Sequence, residues 1–191
     1  MTRLDRQLAF LTEADRLKTV IRATTLADGS RRENSAEHSW HLALYALVLA
    51  DQAGPDVEIN KVLKMLILHD LVEIDAGDNP IFGTVDAAKM EAQETAAADR
   101  LYGLLPADQA IELRAIWEEF ETAQTPSAQF AKALDRAQPP MQNIASGGGS
   151  WIEYNVSPEK IEARVAPAIK RGAPQLWNWL HARIEDFFRN K

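Results

Sequence analysis

The chain has few side chains with which to do chemistry. Its 191 residues hold four histidines, His38, His41, His69 and His181, and no cysteine. The missing thiols exclude disulfides, thiolate zinc sites and a cysteine nucleophile together. His69 stands in Leu66-Ile67-Leu68-His69-Asp70-Leu71-Val72-Glu73, where an apolar helical run abruptly presents a histidine, an aspartate and a glutamate, with Asp75 and Asp78 just beyond. Burying ionisable groups among such neighbours is costly unless something pairs with them, and a divalent cation is one such partner. Successive helical residues are about 100° apart, so His69 and Asp70 can reach one ion from adjacent edges of a face. Glu73 lies over the same patch one turn on, where a carboxylate can hold a water instead of the ion. Imidazole and carboxylate ligands suit zinc, manganese, iron, cobalt or nickel, and spacing does not choose among them.

A His-Asp dipeptide is common, and a lone buried histidine is more often a satisfied core group than a ligand. The set carries the argument. His38 belongs to the preceding helix, and Asp135 is an isolated aspartate in the apolar context Phe130-Ala131-Lys132-Ala133-Leu134-Asp135. The other candidates read as structure. His41 is three residues after His38, on the surface or behind the ligands. His181 lies among aromatic residues and packs. Trp177 and Trp179 suit a core or a dimer contact, and Glu118, Glu119 and Glu121 a solvated helix face. Gly147 to Gly149 lacks the strand-then-helix setting of a phosphate cradle and reads as a mobile loop.

The elements that must position these residues are helical by periodicity. Helices are expected over residues 3–22, 35–53, 60–74, 86–105 and 107–121. A further one from 126 to 144 should be kinked or interrupted at Pro139-Pro140, and others open at 158 and 174. Residues 24–34 read as a polar connector and 78–85 as a loop. Ser35 suits an N-cap, Thr125-Pro126 a cap with proline at the first helical position, and Gly77 a C-terminal cap. No strand and no internal repeat is expected. The fold class is all-α, one helical domain over residues 1–191.

Composition sets further bounds. Apolar residues make up 46% and charged residues 26% of the chain, with a formal net charge of −7. No basic run suggests nucleic acid, no apolar run approaches the roughly 20 residues that span a bilayer, and residues 1–10 lack a signal-peptide core. A cytoplasmic protein is expected. The negative charge repels phosphates at long range, so a phosphate substrate would need local positive charge from a dication and a few arginines.

Taken jointly, the motifs resemble the HD-domain hydrolases, and within them the 5′-deoxynucleotidase branch. The motifs are Arg32-Glu33-Asn34-Ser35-Ala36-Glu37-His38-Ser39, His69-Asp70-Leu71-Val72-Glu73 with Gly77-Asp78, Trp117-Glu118-Glu119-Phe120-Glu121-Thr122, and Lys132-Ala133-Leu134-Asp135. The similarity spans roughly residues 8–144; helices in 157–191 pack on that core. The resemblance implies an all-helical HD bundle, a homodimer, and one divalent metal held by His38, His69, Asp70 and Asp135, its identity (Co, Mn, Zn, Fe, Ni or Mg) left open. It implies Glu73 and Asp78 as catalytic carboxylates near the attacking water and the scissile phosphate. Arg22 would contact substrate, with Lys18 or Arg31 as helping neighbours, and Glu37 and Ser39 flank the first ligand. The implied reaction is removal of the 5′-phosphate from nucleoside 5′-monophosphates by a water that the metal activates. Triphosphohydrolase or phosphodiesterase action and non-catalytic nucleotide binding are the alternatives. One departure stands out. The bacterial branch member has tryptophan after the substrate arginine, favouring the deoxy sugar, whereas this chain has Ala23.

Overall fold

The computed structural model describes residues 1–84 and 86–190. Most helix starts follow their local chemistry. Helix α1 (Arg3–Ala14) opens on Thr2, which forms a capping box with Asp5. After a short hairpin, α2 (Ser35–Val48) opens on a second capping box. Its cap is Asn34, one residue before the expected Ser35, with Glu37 closing the box.

The hairpin was not expected. The first helix stops at Ala14, eight residues short of the expected end, and a 3-10 turn covers Asp15–Thr19. Strand β1 (Ile21–Thr25) then pairs antiparallel with β2 (Arg32–Asn34), aligning Ile21 with Asn34 and Thr25 with Arg32. Val20, Ile21, Thr24 and Thr25 are β-branched, which lowers helix preference and suits a pleated strand. Asp28-Gly29 makes the turn, and Gly29 has φ 75°, a backbone conformation that glycine adopts without steric cost.

The expected helix 60–74 is divided. Helix α3 (Ile59–Leu68) passes into a 3-10 turn, His69–Val72, and then into the single turn α4 (Glu73–Ala76). His69 Nδ1 bonds the Leu66 carbonyl at 2.9 Å, the group that Asp70 N–H would take in a continued α-helix. The paired ligand candidates therefore sit on tightened backbone. Gly77 ends α4 with φ 76°, as expected. The expected 78–85 loop follows; its last residue, Val85, lies outside the described residues.

Helices α5 (Ala87–Tyr102) and α6 (Ala107–Thr122) lead to α7 (Pro126–Ala145), the longest. Thr125 caps α7 and Pro126 takes its first turn. The helix is not interrupted at Pro139-Pro140, because α7 continues through both prolines. Prolines weaken a helix by removing N–H donors, but α7 is enclosed by α2, α3, α6 and the C-terminal helices, and this packing holds it together. The C-terminal helices are α8 (Gly149–Glu153), α9 (Pro158–Arg164), α10 (Ala166–Gly172) and α11 (Pro174–Arg189). Apart from the hairpin, the fold is all-helical.

Two apolar clusters form. One gathers Leu42, Met65, Leu66, Leu101, Phe120 and Leu134 among the helices before α8. The other gathers Trp151, Ile161, Ile169, Leu180 and Ile184 on the outer part of α7. The glycine run, expected as a mobile loop, is a bonded turn between them. Gly148 N donates to the Asn143 carbonyl at 2.7 Å, and Ser150 N and Oγ donate to Asn143 Oδ1. A Cβ at Gly149 would lie 2.6 Å from that oxygen. No helix among the described residues is long and apolar enough to cross a membrane.

Candidate metal centre

Three elements bring the candidate ligands together: α2 supplies His38, the 3-10 turn supplies His69 and Asp70, and α7 supplies Asp135. All four are buried. One ligand atom each from His38, His69 and Asp135 lies within 4.8 Å of the others. His38 Nε2 is 3.1 Å and His69 Nε2 is 3.7 Å from Asp135 Oδ1. Asp70 abuts this trio, its Oδ1 3.0 Å from His69 Nε2.

The protonation pattern fits a cation. His69 Nδ1 is occupied by the Leu66 carbonyl, which leaves Nε2 buried without a hydrogen-bond partner. His38 Nδ1 lies 3.1 Å from Gln138 Oε1. The amide is oriented from behind, because Gln138 Nε2 donates to Glu33 Oε2 at 3.1 Å. A neutral His38 therefore carries its proton on Nδ1 and turns the Nε2 lone pair toward Asp135. Lone pairs and carboxylate oxygens face one another here, an arrangement that needs positive charge between them. Without a metal the protein supplies it by protonation. Burial lowers the His69 pKa, but Asp70 and Asp135 outweigh that and push it up to about 10. A dication bound by neutral imidazoles and carboxylates supplies the same charge.

Around this centre lie the carboxylates expected to do chemistry. Burial, reinforced by the Asp70 charge, pushes Glu73 well above the usual carboxylate range. Ser35 Oγ donates to Glu73 Oε2 at 2.5 Å. Burial likewise raises Asp78, whose Oδ2 accepts from Ala23 N at 3.3 Å. Burial opposes ionisation of Asp70, but His69 and Arg22 overcome it and hold that carboxyl below its ordinary value. Arg22 reaches inward from β1. Its Nη1 donates to Asp70 Oδ2 at 2.9 Å and lies 3.3 Å from Asp78 and 3.6 Å from Glu73.

The remaining expectations divide. Lys18 and Arg31 stay at the surface, paired with Asp15 and Glu37, so neither joins Arg22. Glu37 serves the α2 cap. His41 is half-buried, its Nδ1 3.3 Å from Gln138, behind the ligands. His181 packs against Trp177 with the two rings tilted and their centroids 5.3 Å apart. Sequence reasoning assigned no role to Glu33 or Gln138. The signal for Gln138 was present: it lies three residues after Asp135 and so shares its helix face. Glu33 gave none, because its burial depends on the unforeseen hairpin. Replacing Gln138 with Leu removes the acceptor that fixes His38. Metal affinity is expected to fall about 10- to 100-fold, the usual cost of losing an outer partner of a ligand; titration with cobalt(II) measures it.

A narrow cleft opens beside the centre, lined by Arg22, Ala23, Asp78, Asp135, Arg136 and Trp151 among others. A larger apolar groove of about 580 Å³ runs between α2 and α11. It lacks the carboxylate cluster, so the narrower cleft is where chemistry is positioned.

A helical fold gathering one histidine, a His-Asp pair and a distant aspartate around one buried point defines the HD-domain class. The HD domain family model matches residues 14–177, and the chain belongs to that family. It is similar to a predicted metal-dependent phosphohydrolase from Magnetospirillum magnetotacticum, 45% identical, over 98% of this chain and 96% of that one, with a TM-score of 0.92. It is also similar to the 5′-deoxynucleotidase HDDC2 of Bos taurus, 30% identical over 132 residues, 69% of this chain and 63% of the relative. The 5′-deoxynucleotidase hdd1 of Schizosaccharomyces pombe is 29% identical over 132 residues, 66% of this chain and 65% of the relative. The chain thus spans just under two thirds of the length of these curated relatives.

Proposed function

We propose that the chain is a metal-dependent phosphomonoesterase that removes the 5′-phosphate from ribo- and deoxynucleoside 5′-monophosphates. The observation that carries this reading is the buried His69 Nε2, which makes no hydrogen bond yet faces Asp70 and Asp135 beside His38, with raised carboxyls at Glu73 and Asp78 close by. His38, His69, Asp70 and Asp135 would hold one divalent ion. When bound, that ion supplies Lewis acidity, which lowers the pKa of water and offsets phosphate charge.

The protein's own groups do the rest. Glu73, steadied by Ser35, takes a proton from the attacking water as the new phosphorus–oxygen bond forms. Asp78 gives a proton to the departing 5′-oxygen as the ester bond breaks. Arg22 donates hydrogen bonds to the phosphate and spaces the two carboxylates. Its planar guanidinium suits this task. Ala23 leaves no bulky side chain beside Arg22, so a 2′-hydroxyl is tolerated. The proposal includes the single HD unit and the homodimer that the family resemblance implies, and the cytoplasmic setting expected from composition.

The test is a panel of nucleoside mono-, di-, tri- and cyclic phosphates assayed for free phosphate with added cobalt(II) or manganese(II). Release from ribo- and deoxynucleoside monophosphates is expected. Release confined to triphosphates or cyclic forms would replace the reading with another HD chemistry. Ligand binding with no release from any member would make the protein a binder.

A further inference from the structure

The cleft beside the metal centre is lined by two arginines in opposite electrostatic states. The Arg22 side chain is 12% exposed; its Nη1 faces Asp70, Glu73 and Asp78, and its Nε lies 3.5 Å from Glu33. One positive charge among four carboxylates leaves no surplus for an anion. Arg136 follows Asp135 on α7, and its side chain is 37% exposed. Among the described residues its single ion contact is Asp135 Oδ2 at 3.8 Å, too long for a hydrogen bond. A cation shared by Asp135 would weaken even that pairing. Among the described residues, Arg136 is therefore the cleft cation whose charge is least neutralised.

The need for such a charge is explicit. The chain carries a formal charge of −7 and repels a phosphate dianion at distance. Attraction must come from groups fixed at the cleft. We propose that Arg136 is a phosphate-binding residue, engaging terminal oxygens of the phosphomonoester and of the inorganic phosphate released from it. This rests on reading the site as a phosphomonoesterase. Arg22 contributes donors held in place by carboxylates, whereas Arg136 contributes net charge and a guanidinium fork that matches two phosphate oxygens. A purely structural Arg136 would have a close carboxylate or carbonyl partner, and among the described residues it has no hydrogen-bonded one.

The test measures inorganic phosphate binding by calorimetry to protein loaded with cobalt(II) or manganese(II), whichever it takes up. Arg136→Ala and Arg136→Gln are expected to weaken phosphate binding about 10- to 100-fold, the range for charge-assisted hydrogen bonds. Each variant is saturated with metal before the phosphate titration. Arg136→Lys should recover part of the loss, because charge returns without the fork. In turnover, the Ala and Gln variants should raise KM more than they lower kcat. Phosphate affinity equal to wild type in both would overturn the proposal, and the glutamine variant decides if the alanine variant does not fold. Arg136-dependent phosphate binding without hydrolysis of any nucleoside monophosphate would leave the anion site standing and remove the nucleotidase reading. Normal hydrolysis with Arg136-independent phosphate binding would do the reverse.

Discussion

Asp135→Ala is expected to abolish stoichiometric metal binding and reduce hydrolysis to background. Among the described residues, Asp135 is the one whose carboxylate makes an ion contact with both imidazoles, 3.1 Å from His38 and 3.7 Å from His69. Without it, two ring nitrogens converge on a buried space with Asp70 reaching it from one side only. The loss should exceed the roughly 10- to 100-fold expected for an outer partner such as Gln138. Metal content after dialysis and cobalt(II) titration give the readout, with circular dichroism to show that α7 persists. Asp135 makes no bond that closes a helix, and its removal relieves a buried carboxylate, so the fold should survive. A folded variant that still retains one tightly held ion would show that the metal sits elsewhere.

Glu73→Gln should separate chemistry from binding. The amide keeps the size of the side chain and can still meet Ser35 Oγ, which lies 2.5 Å from Glu73 Oε2. It cannot take a proton from water. Turnover should drop about 10²- to 10⁴-fold, the contribution typical of a positioned general base. Metal content should match wild type, since Glu73 is not one of the four residues proposed to hold the ion. Pre-steady-state phosphate release is the decisive measurement, because slow product release could mask a chemical defect in kcat. Wild-type turnover in the variant would remove Glu73 from the mechanism and pass its role to Asp78.

Both predictions depend on residues whose types were visible early but whose surroundings were not. The helix starts at Thr125-Pro126 and Ser157-Pro158 and the stop at Gly77 follow from chemistry within one turn, and each appears as expected. The hairpin failed that reading because Leu4, Leu8, Leu11, Leu17 and Ile21 keep helical spacing past the true helix end. Pairing with β2 and its turn decided the matter. The Pro139-Pro140 signal was locally sound, yet enclosure of α7 keeps the helix from being interrupted there.

Local sequence alone determined the ligand types, the carboxylates next to them and most helix boundaries, since propensity and capping act within a few residues. Tertiary structure decided everything that joins distant segments. Glu33 meets Gln138 across 105 positions and Arg22 meets Asp70 across 48. The C-terminal helices close a cleft wall with Trp151, although that part of the sequence carried no chemical motif. Such contacts are fixed by packing of whole elements, and burial then shifts the charges that those contacts bring together.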